Sequence, residues 1–526
     1  MKVITAEEAA QLITDNSTVA LSGSGAVNVV AEQILAAIEA RFLSTGRPRG
    51  LTLFHPQGIG DKEHGGVAHF AHPGLCRRVI GGHWGLSPAM SRLAEEEQIE
   101  AYNLPQGVMA QMLRDMSARG PGVITKIGLD TFVDPTQEGG KMNKSAKEEL
   151  VERITLDGET WLRYRPLPVD IAVIRGTSAD EDGYISMEEE VHYDEVASMA
   201  AAAKNNGGLV IAQVKYLKKR GEIPCAQAKV PGFLVDYVVE VPDQRQSMHS
   251  FYCPAYCGAS KEPELPTWPN PGLDIRKFIA RRQALELRPG MVVNIGLGIS
   301  NGVPAILAEE GVWDKVVFSL EQGQSGGVPI MGPDAGTMSG PRIIVEQPIQ
   351  HDMYHGGILD AACLSAGEID RFGNVNVSKL GRNVTGCGGF IDISQESKRI
   401  IFAGSMCVGS VVSLDNGTVR IQQQGTVKKF VNQVKQITYS SHSAIKKGQY
   451  VVFITERGVF HLGEDGLVLT EIAPGVDLQR DILEQMEFAP KVSKQLRQMP
   501  AELFAEGRMG IEHVWARLDQ QKARLS

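Results

Sequence analysis

A glutamate and a serine that could act as nucleophiles lie close together in KVVFSLEQGQSGG, residues 315–327. The apolar run Val316–Leu320 predicts a buried strand that ends directly at Glu321. A buried carboxylate costs desolvation free energy unless it is hydrogen-bonded, so Glu321 is a candidate nucleophile, with an exposed loop glutamate as the alternative. Ser325 stands in a G-x-S-x-G pattern typical of serine hydrolases. Because the predicted strand ends too early for a nucleophile elbow and no helix pattern follows, Ser325 is interpreted as a small loop residue.

Two glycine-rich turns follow apolar strands and could approach a ligand through their backbone. Gly23–Asn28 and Gly296–Asn301 both read G-x-G-x-x-N, whereas the dinucleotide fingerprint has a third glycine where each asparagine stands. A nicotinamide or flavin site is therefore not favoured. Two interpretations stay open: a tight strand-to-helix turn without a ligand, or a loop whose N–H groups contact a phosphate or a thioester.

The seven cysteines are scattered along the chain, which predicts reduced thiols rather than a disulfide framework. Cys253 and Cys257 are spaced C-x3-C, but no second cysteine pair lies near them. We interpret them as ordinary structural cysteines, and the sequence predicts no metal site.

Length and composition restrict the class of protein. A chain of 526 residues predicts two to four domains. The net charge of -9 argues against a dedicated nucleic-acid binder. The beginning, MKVITAEEAAQLI, has acidic residues where a signal peptide needs an apolar core, and no apolar run is long enough for a transmembrane helix. We therefore expect a cytoplasmic protein without a membrane partner.

The elements that must position these residues occur in two similar halves. The proline-rich stretch 260–272 reads as a linker between an N-terminal domain, 1–259, and a C-terminal domain, 273–526. Asp170–Ser186 matches Asp360–Asn376, and in each a glycine stands thirteen residues after the aspartate. The two G-x-G-x-x-N segments match in the same order, which indicates a duplicated domain.

Each half alternates short Val- and Ile-rich segments with helical patterns. Expected strands include LTLFHPQ, GGLVIAQV, RIIFAG and QYVVFITE, and expected helices include VAEQILAAIEARF, RKFIARRQALEL and DLQRDILEQM. This alternation is typical of α/β domains with mostly parallel sheets flanked by helices. Ligands of such sheets bind beyond the carboxyl ends of the strands. The cleft between the halves is therefore the expected site.

Several segments together resemble family I coenzyme A-transferases, and more narrowly the fused single-chain acetate/propionate CoA-transferases, close to the 3-oxoacid CoA-transferases. The resemblance covers nearly the whole chain and implies two domains of the CoA-transferase fold (NagB/RpiA-like), the first alpha-subunit-like and the second beta-subunit-like. The segments that carry it are GGHWG (81–85), YNLPQGV (102–108), GLDTFVDP (128–135), GNVNVSK (373–379), GCGGFIDIS (386–394), FITERGVF (453–460) and EIAPGVDLQRDIL (471–483).

The resemblance implies a role for each candidate. Glu321 would be the nucleophile of a ping-pong reaction through a glutamyl-CoA thioester, and Gln106 with the pair Gly388-Gly389 would stabilise oxyanions. Coenzyme A would be a substrate, with no permanently bound cofactor and no metal. Glycine loops are the better candidates for CoA contact, ahead of the basic stretch 276–282, which otherwise reads as a solvated surface. The CoA-contacting glycines would be Gly296, Gly298, Gly388 and Gly389.

The resemblance also implies partners and alternatives. Acyl-CoA and small carboxylates such as acetate and propionate are the expected substrates, and a homotetramer or homodimer is the expected assembly. Family members usually have Ser or Asn where this chain has Gln322, so Gln322, Cys387 and Met331 could alter acyl specificity. Two alternatives are an acyl-CoA hydrolase on the same scaffold and a non-catalytic acyl-CoA-binding protein.

Overall fold

The computed structural model describes residues 1–25, 28–260, 262–270 and 272–523, and helices surround two large sheets. Linker positions 261 and 271 and the end of the C-terminal domain, 524–526, lie outside the described residues. The α-helices are α1 (Ala6–Gln11), α2 (Glu32–Thr45), α3 (Pro88–Glu95), α4 (Gln106–Ser117), α5 (Val196–Asn205), α6 (Ile275–Ala284), α7 (Val303–Glu310), α8 (Gln347–His355), α9 (Phe390–Ser394), α10 (Ser441–Lys447) and α11 (Ile511–Ala523).

The first half is built on an eight-stranded sheet in which every neighbouring pair is parallel. The spatial order is β1-β8-β7-β6-β2-β3-β4-β5. Its central strands are buried on both faces, which explains their continuous apolar sequence. The strands are β1 (Lys2–Val3), β2 (Thr18–Leu21), β3 (Leu51–His55), β4 (Cys76–Gly81), β5 (Glu100–Asn103), β6 (Ile171–Arg175), β7 (Leu209–Val214) and β8 (Tyr237–Glu240).

The second half has a mixed eight-stranded sheet in the order β10-β9-β11-β12-β13-β14-β15-β16. Its first five strands are parallel, and β14 is antiparallel to both of its neighbours. The strands are β9 (Val292–Ile295), β10 (Val317–Phe318), β11 (Ala361–Ser365), β12 (Arg399–Ala403), β13 (Tyr450–Ile454), β14 (Gly458–Gly463), β15 (Gly466–Ile472) and β16 (Lys491–Gln498).

The two halves repeat one topology. The order β3-β2-β6-β7-β8 in the first sheet corresponds to β10-β9-β11-β12-β13 in the second. Asp170 accepts a hydrogen bond from the backbone N–H that begins β2, and Asp360 does the same at β9. Gly183 and Gly373 occupy the same left-handed turn, with φ of 87° and 89°. These matches confirm the duplication that the sequence indicates, whereas the domain boundaries stay a prediction.

Shorter strands form small sheets around the two large ones. In the first half they are Val123–Thr125, Val151–Leu156, Glu159–Tyr164, Ser178–Asp180, Ile185–Ser186, Tyr216–Lys218 and Ala228–Val230. In the second half they are Gln324–Ser325, Val328–Pro329, Met338–Ser339, Ile343–Ile344, Glu368–Asp370, Val375–Asn376, Lys379–Leu380, Asn383–Val384, Cys407–Val408, Val411–Asp415, Thr418–Gln423, Val427–Lys428 and Phe430–Val431.

Most of the expected elements are present, with two corrections. The strand expected at Val316–Leu320 is only Val317–Phe318, because the chain folds into a hairpin immediately afterwards. The segment DLQRDILEQM is not an α-helix but a π-turn, Leu478–Ile482, followed by a 3₁₀ turn, Leu483–Gln485. Local periodicity does not distinguish these helix types.

Two expectations of the sequence concern the whole chain. All seven cysteines are unpaired, as expected. Within the described residues, no helix combines the length and the apolar character needed to cross a bilayer.

Candidate active site

Glu321 lies at the tip of a tight hairpin that follows β10. Gly323 N–H donates to the carbonyl of Leu320 at 3.0 Å, which places Glu321 and Gln322 at the two central positions of the turn. Gly323 has φ of 109°, and a Cβ there would lie 2.0 Å from the carbonyl oxygen of Val345. Only glycine fits this backbone, so the glycine after Glu321 is required by the geometry of the turn.

The environment of Glu321 opposes its ionisation but offers two donors. Burial raises the pKa of Glu321, and the nearby negative charge of Asp392 raises it further. Asn294 Nδ2 on β9 lies 3.5 Å from Oε2, and Gln322 Nε2 lies 3.4 Å from Oε1, and both favour the charged form. Asn294 is itself held by the carbonyl of Ser319 at 3.0 Å. The carboxylate is thus partly buried and positioned by residues of its own half.

The Gly388-Gly389 pair faces this carboxylate from the start of α9. A methyl group built on Gly389 would lie 3.4 Å from Cδ of Glu321, so a side chain there would crowd the nucleophile. Gly388 has φ of 54°, and its N–H donates to the carbonyl of Gly82 in the first half. The loop before α9 therefore crosses the boundary between the halves.

Gln106 approaches the same loop from the first half, as the first residue of α4. Its backbone N–H donates to the carbonyl of Gly388 at 3.1 Å. Its side-chain Oε1 lies 3.9 Å from the Cβ position of Gly388. Only 3% of Gln106 is exposed, and its Nε2 has no hydrogen-bond partner among the described residues. A buried amide donor left unpaired in this way is free to bind a substrate oxygen.

Asp392 on α9 joins the two halves and was not singled out by the sequence. Its buried carboxylate accepts the N–H groups of Gly107 and Val108 at 3.0 and 3.2 Å, and it contacts His355 Nε2 at 2.9 Å. His351, His355 and Asp392 place possible metal-ligand atoms within 4.8 Å of one another. Because the Asp392 oxygens already serve these donors, a cation would have to displace them. The observed role of Asp392 is to hold the start of α4 beside α9.

His83, in the GGHWG segment, is a second residue near the site that the sequence did not assign a role. Its Cβ lies 3.8 Å from the Cβ position of Gly388. Burial lowers the pKa of His83 to about 4, so the imidazole is neutral at physiological pH. A buried titratable side chain beside candidate oxyanion donors is the signal that only the tertiary structure supplies.

The expected CoA-contacting residues separate into two sets. Gly388 and Gly389 lie at Glu321, whereas Gly296 and Gly298 form the turn after β9, where Gly298 is exposed and adjoins Ser365. The basic stretch 276–282 is mostly not a solvated surface, although Arg276 is exposed and its Nη2 donates to the carbonyl of Gly298 at 3.4 Å. Its charged side chains Lys277, Arg281 and Arg282 are buried in α6 and paired inside the second half, for example Arg282 with Glu471 at 2.8 Å.

Ser325 does not have the surroundings of a hydrolase nucleophile. It lies on the two-residue strand that returns from the Glu321 hairpin, and its Oγ donates to Ser319 Oγ at 3.1 Å. No helix follows it directly, and no histidine is among its described hydrogen-bond partners. Of the two residues in the opening segment, Glu321 is the one that faces the loop of Gly388 and Gly389, which in turn hydrogen-bonds to the first half.

The arrangement can therefore support nucleophilic attack by a carboxylate on an acyl carbon. In such a reaction Glu321 would be the nucleophile and the unpaired Gln106 Nε2 a candidate hydrogen-bond donor, whereas the N–H of Gly388 already donates to the carbonyl of Gly82. Glycines around the carboxylate leave room for a substrate.

Comparisons with known proteins show the family to which this chain belongs. A family model described as coenzyme A transferase matches residues 3–241. Acetate CoA-transferase YdiF from Escherichia coli (strain K12) is 41% identical over 510 residues, which cover 97% of this chain and 96% of that protein. Caffeate CoA-transferase from Acetobacterium woodii is 40% identical over 521 residues, which cover 98% of this chain and 99% of that protein.

A solved structure agrees over the same length. The crystal structure of acyl-CoA transferase YdiF from E. coli O157:H7, in a thioester complex with CoA, superposes with a TM-score of 0.91 at 40% identity and covers 97% of both chains. The similarity extends through both halves. This chain is a CoA-transferase and belongs to the coenzyme A transferase family.

Proposed function

We propose that this CoA-transferase moves CoA between short-chain acyl-CoA thioesters and free carboxylates through a covalent thioester on Glu321. The observation that carries the proposal is the position of Glu321. Its carboxylate carbon lies 3.4 Å from the Cβ position of Gly389. The loop that contains Gly389 also contains Gly388, whose carbonyl accepts the N–H of Gln106 from the other half. A nucleophile and candidate oxyanion donors thus meet between the two halves.

The reaction consists of four acyl transfers. The Glu321 carboxylate attacks the thioester carbonyl, the C–S bond breaks, and an acyl-glutamyl anhydride and CoA thiolate form. The thiolate attacks the glutamyl carbonyl, which releases the first acid as a carboxylate and leaves glutamyl-CoA. An incoming carboxylate attacks this thioester, giving a new anhydride and free thiolate. The thiolate then attacks the new acyl carbonyl, which yields the new acyl-CoA and restores Glu321.

Each step passes through a tetrahedral oxyanion. We infer that Gln106 Nε2 donates to it, because this amide is buried and has no partner among the described residues. A donor already in place needs no reorganisation when charge develops, and loss of one such donor costs about 100- to 1,000-fold in rate. Gly388 and Gly389 leave the opposite side open to the acyl group.

Glu321 must be ionised to attack, although burial raises its pKa. Asn294 and Gln322 direct their amide groups at its two oxygens and favour the anion. The partial burial has a second consequence, because water must be kept from the anhydride and the thioester. Slow hydrolysis of acyl-CoA is therefore the expected side reaction.

We further propose that CoA reaches Glu321 past the turn that holds Gly296 and Gly298. Gly298 has φ of 99° and is exposed, so a ligand can approach the backbone closely. The turn follows β9, the strand that also carries Asn294. We propose that Gly388 and Gly389 contact CoA as well.

The acyl group is expected to be a small carboxylic acid such as acetate or propionate. The relatives do not fix the acyl group, because an acetate CoA-transferase and a caffeate CoA-transferase are similarly related to this chain, at 41% and 40% identity. Gln322 adjoins Glu321 and has a buried Oε1 without a partner among the described residues, so it is a candidate determinant of specificity.

Peptide mass spectrometry tests the covalent step. The enzyme is incubated with acetyl-CoA, quenched in acid and digested. A CoA-sized adduct on the peptide that contains Glu321, absent from Glu321→Ala, is the expected result. Glu321→Gln is the matched variant, since it keeps the size of the side chain and removes the nucleophile.

Other results would contradict the proposal. An acyl adduct on Ser325 would indicate a serine hydrolase instead. Exchange of CoA at the wild-type rate by Glu321→Ala would exclude Glu321 as the nucleophile. Tight CoA binding without an adduct or exchange would indicate a non-catalytic acyl-CoA-binding protein.

The homotetrameric or homodimeric assembly and the cytoplasmic location stay predictions. Light scattering on the purified chain measures the first. Cell fractionation measures the second.

A further inference from the structure

Two histidines and an aspartate of the second half meet where that half faces α4 of the first, and we call them the His–Asp cluster. The cluster consists of His351 and His355 on α8 and Asp392 on α9. Each residue offers a ligand atom, and these atoms lie within 4.8 Å of one another. Because His351 and His355 are four residues apart on one helix, their imidazoles lie on the same face of α8.

His351 is the member of the cluster whose hydrogen bonding is incomplete. The residue is 0% exposed, and neither Nδ1 nor Nε2 has a hydrogen-bond partner among the described residues. The rings of Tyr354 and His355 lie 5.7 Å away between centroids, and the Cβ position of Gly107 lies 2.2 Å from His351 Nδ1. Buried polar groups in folded proteins are almost always paired, so an unpaired buried imidazole beside other ligand atoms indicates that a further group binds here.

The donor set of the cluster indicates which group that is. Two imidazole nitrogens and one carboxylate oxygen suit Zn²⁺, whereas Mg²⁺ and Ca²⁺ prefer oxygen ligands. Two histidines four residues apart on a helix are also the pair with which an H-E-x-x-H helix binds zinc. Three protein ligands leave one position of a tetrahedral ion for water.

The distances suit a zinc ion after a small adjustment of the side chains. His355 Nε2 lies 2.9 Å from Asp392 Oδ1, and the three ligand atoms lie within 4.8 Å of one another. Zinc bonds of about 2.0–2.2 Å in a tetrahedron place ligand atoms roughly 3.4 Å apart. The ion therefore separates the first pair slightly and draws His351 inward by roughly 1 Å.

Zinc binding also requires a change in the proton position on His355. Gln111 Nε2 lies 3.1 Å from His355 Nδ1, so the neutral ring accepts there and carries its proton on Nε2, towards Asp392. With zinc on Nε2, the proton moves to Nδ1, and the Gln111 amide turns its oxygen towards the ring to accept it. The outer nitrogen of a metal-bound histidine is commonly held by such a hydrogen bond.

An open cleft between the halves gives a cation access to the cluster. The cleft has a volume of about 640 Å³ and is lined by residues of α4, by the segment 122–125 and by the end of α8, including His355. The carboxylates of Asp115 and Asp352 also line it and attract cations. Arg114 lines the same cleft but is paired with Asp352.

We propose that the His–Asp cluster is a zinc site and that zinc bound there inhibits CoA transfer. The Asp392 carboxylate accepts the N–H groups of Gly107 and Val108, directly after Gln106. A zinc ion on this carboxylate displaces those donors, which releases the start of α4 and moves Gln106 away from Gly388. Zinc binding is independent of the proposed function, whereas the inhibition rests on the proposed role of Gln106.

A second group of histidines and carboxylates in the first half provides a matched control. His69 contacts Glu32 and Glu39, and His72 contacts Glu39. Both histidines are therefore paired with carboxylates, in contrast to His351. A zinc ion bound at this group would not contact Asp392, so a variant of His72 tests whether any histidine cluster gives the same effect.

Zinc titration of chelator-treated enzyme tests the proposal. CoA exchange between acetyl-CoA and propionate is measured at increasing ZnCl2, and bound zinc is measured by atomic emission. We expect zinc to lower kcat by about 10- to 100-fold and EDTA to restore it. Compared with their own zinc-free rates, His351→Leu and His355→Gln lose the inhibition and bind one zinc ion fewer than the wild type. His72→Gln keeps the inhibition.

Cobalt gives a readout that does not depend on activity. Co²⁺ bound in place of zinc is expected to give the visible absorption of a four-coordinate ion in the wild type and in His72→Gln, and not in His351→Leu or His355→Gln. Thermal unfolding shows which variants are folded, and either variant of the cluster is sufficient for the comparison.

Four results would overturn the inference in whole or in part. Equal zinc content in the wild type and in the folded cluster variants contradicts the site. Inhibition that persists in these variants places the inhibitory ion elsewhere, for example on Glu321. Zinc bound at the cluster with full exchange activity contradicts the inhibition and the role of Gln106, but not the site. Absence of CoA exchange in zinc-free wild-type enzyme refutes the proposed function, and the zinc and cobalt measurements then decide the site alone.

Discussion

Asp392 offers a sharp test of how the two halves assemble the site. Its buried carboxylate accepts N–H groups from Gly107 and Val108, the residues that follow Gln106 in α4. It lies on α9, which begins directly after Gly389. The substitution Asp392→Asn removes the charge and keeps the size, so it tests the hydrogen bonds and the electrostatics without leaving a cavity.

The magnitude follows from the contacts that are lost. The Asp392 carboxylate accepts two backbone N–H groups at 3.0 and 3.2 Å and contacts His355 Nε2 at 2.9 Å. An asparagine has one acceptor oxygen, so it can keep only some of these hydrogen bonds. A buried N–H left unpaired costs about 1–3 kcal/mol. If α4 shifts to relieve this cost, Gln106 moves from its position and kcat falls by about 10- to 100-fold.

The pH profile separates this effect from simple destabilisation. Burial raises the pKa of Glu321, and the negative charge of Asp392 raises it further. The variant lacks that charge, so Glu321 ionises at lower pH. Because the ionised form is the nucleophile, the acid limb of kcat/KM against pH moves to lower pH even as kcat falls.

The assay measures CoA exchange between acetyl-CoA and propionate from acid to neutral pH. His355→Gln is the comparison variant, since it removes a partner of Asp392 and leaves the carboxylate charge in place. We expect it to lower kcat without moving the acid limb. Thermal unfolding of each variant confirms that the protein is folded. An Asp392→Asn enzyme with wild-type kcat, or with an acid limb shifted to higher pH, would refute the reasoning.

Two further predictions concern other residues. Gln106→Ala is expected to lower kcat by about 100- to 1,000-fold with little change in KM, because a transition-state donor is lost. Gln111→Ala on the same helix is its control. A similar loss of kcat in both variants would contradict the role of Gln106 as a transition-state donor. For His69, burial lowers the pKa, but bonds to Glu32 and Glu39 outweigh it and raise the pKa to about 8. The stabilisation of at most about 2 kcal/mol is complete below pH 6.5 and lost as pH rises through about 8. Denaturant unfolding should show that the free energy of unfolding of the wild type falls over this pH range and that the free energy of His69→Gln does not. The same pH dependence in both proteins would exclude this role of His69.

The candidate site residues could be named from the sequence because the segments that carry them are local. The apolar segment before Glu321 and the glycine after it raised the nucleophile candidate, and the family resemblance implied the roles of Glu321, Gln106 and Gly388-Gly389, which stay predictions. The duplication was visible from the matched segments, and the structure confirms it in the shared strand order.

Other expectations failed where tertiary contacts override local pattern. The basic stretch 276–282 suggested a solvated or phosphate-binding surface. Arg276 is exposed, but Lys277, Arg281 and Arg282 are buried and paired within the second half. Burial of a charge depends on whether an opposite charge from a distant segment meets it, such as Glu471 for Arg282. Sequence spacing does not contain that information.

The sequence by itself thus determined the α/β class and the repeat, since strand patterns and glycine turns act over a few residues, whereas the reacting residue stays a prediction that rests on the family resemblance. Only the tertiary structure decided how the halves meet. It placed the Asp392 carboxylate at the N–H groups that begin α4, and it brought Glu471 to the buried Arg282 of α6. The physical reason is that contacts across an interface depend on the packing of whole domains, whereas turns and strands depend on neighbouring residues.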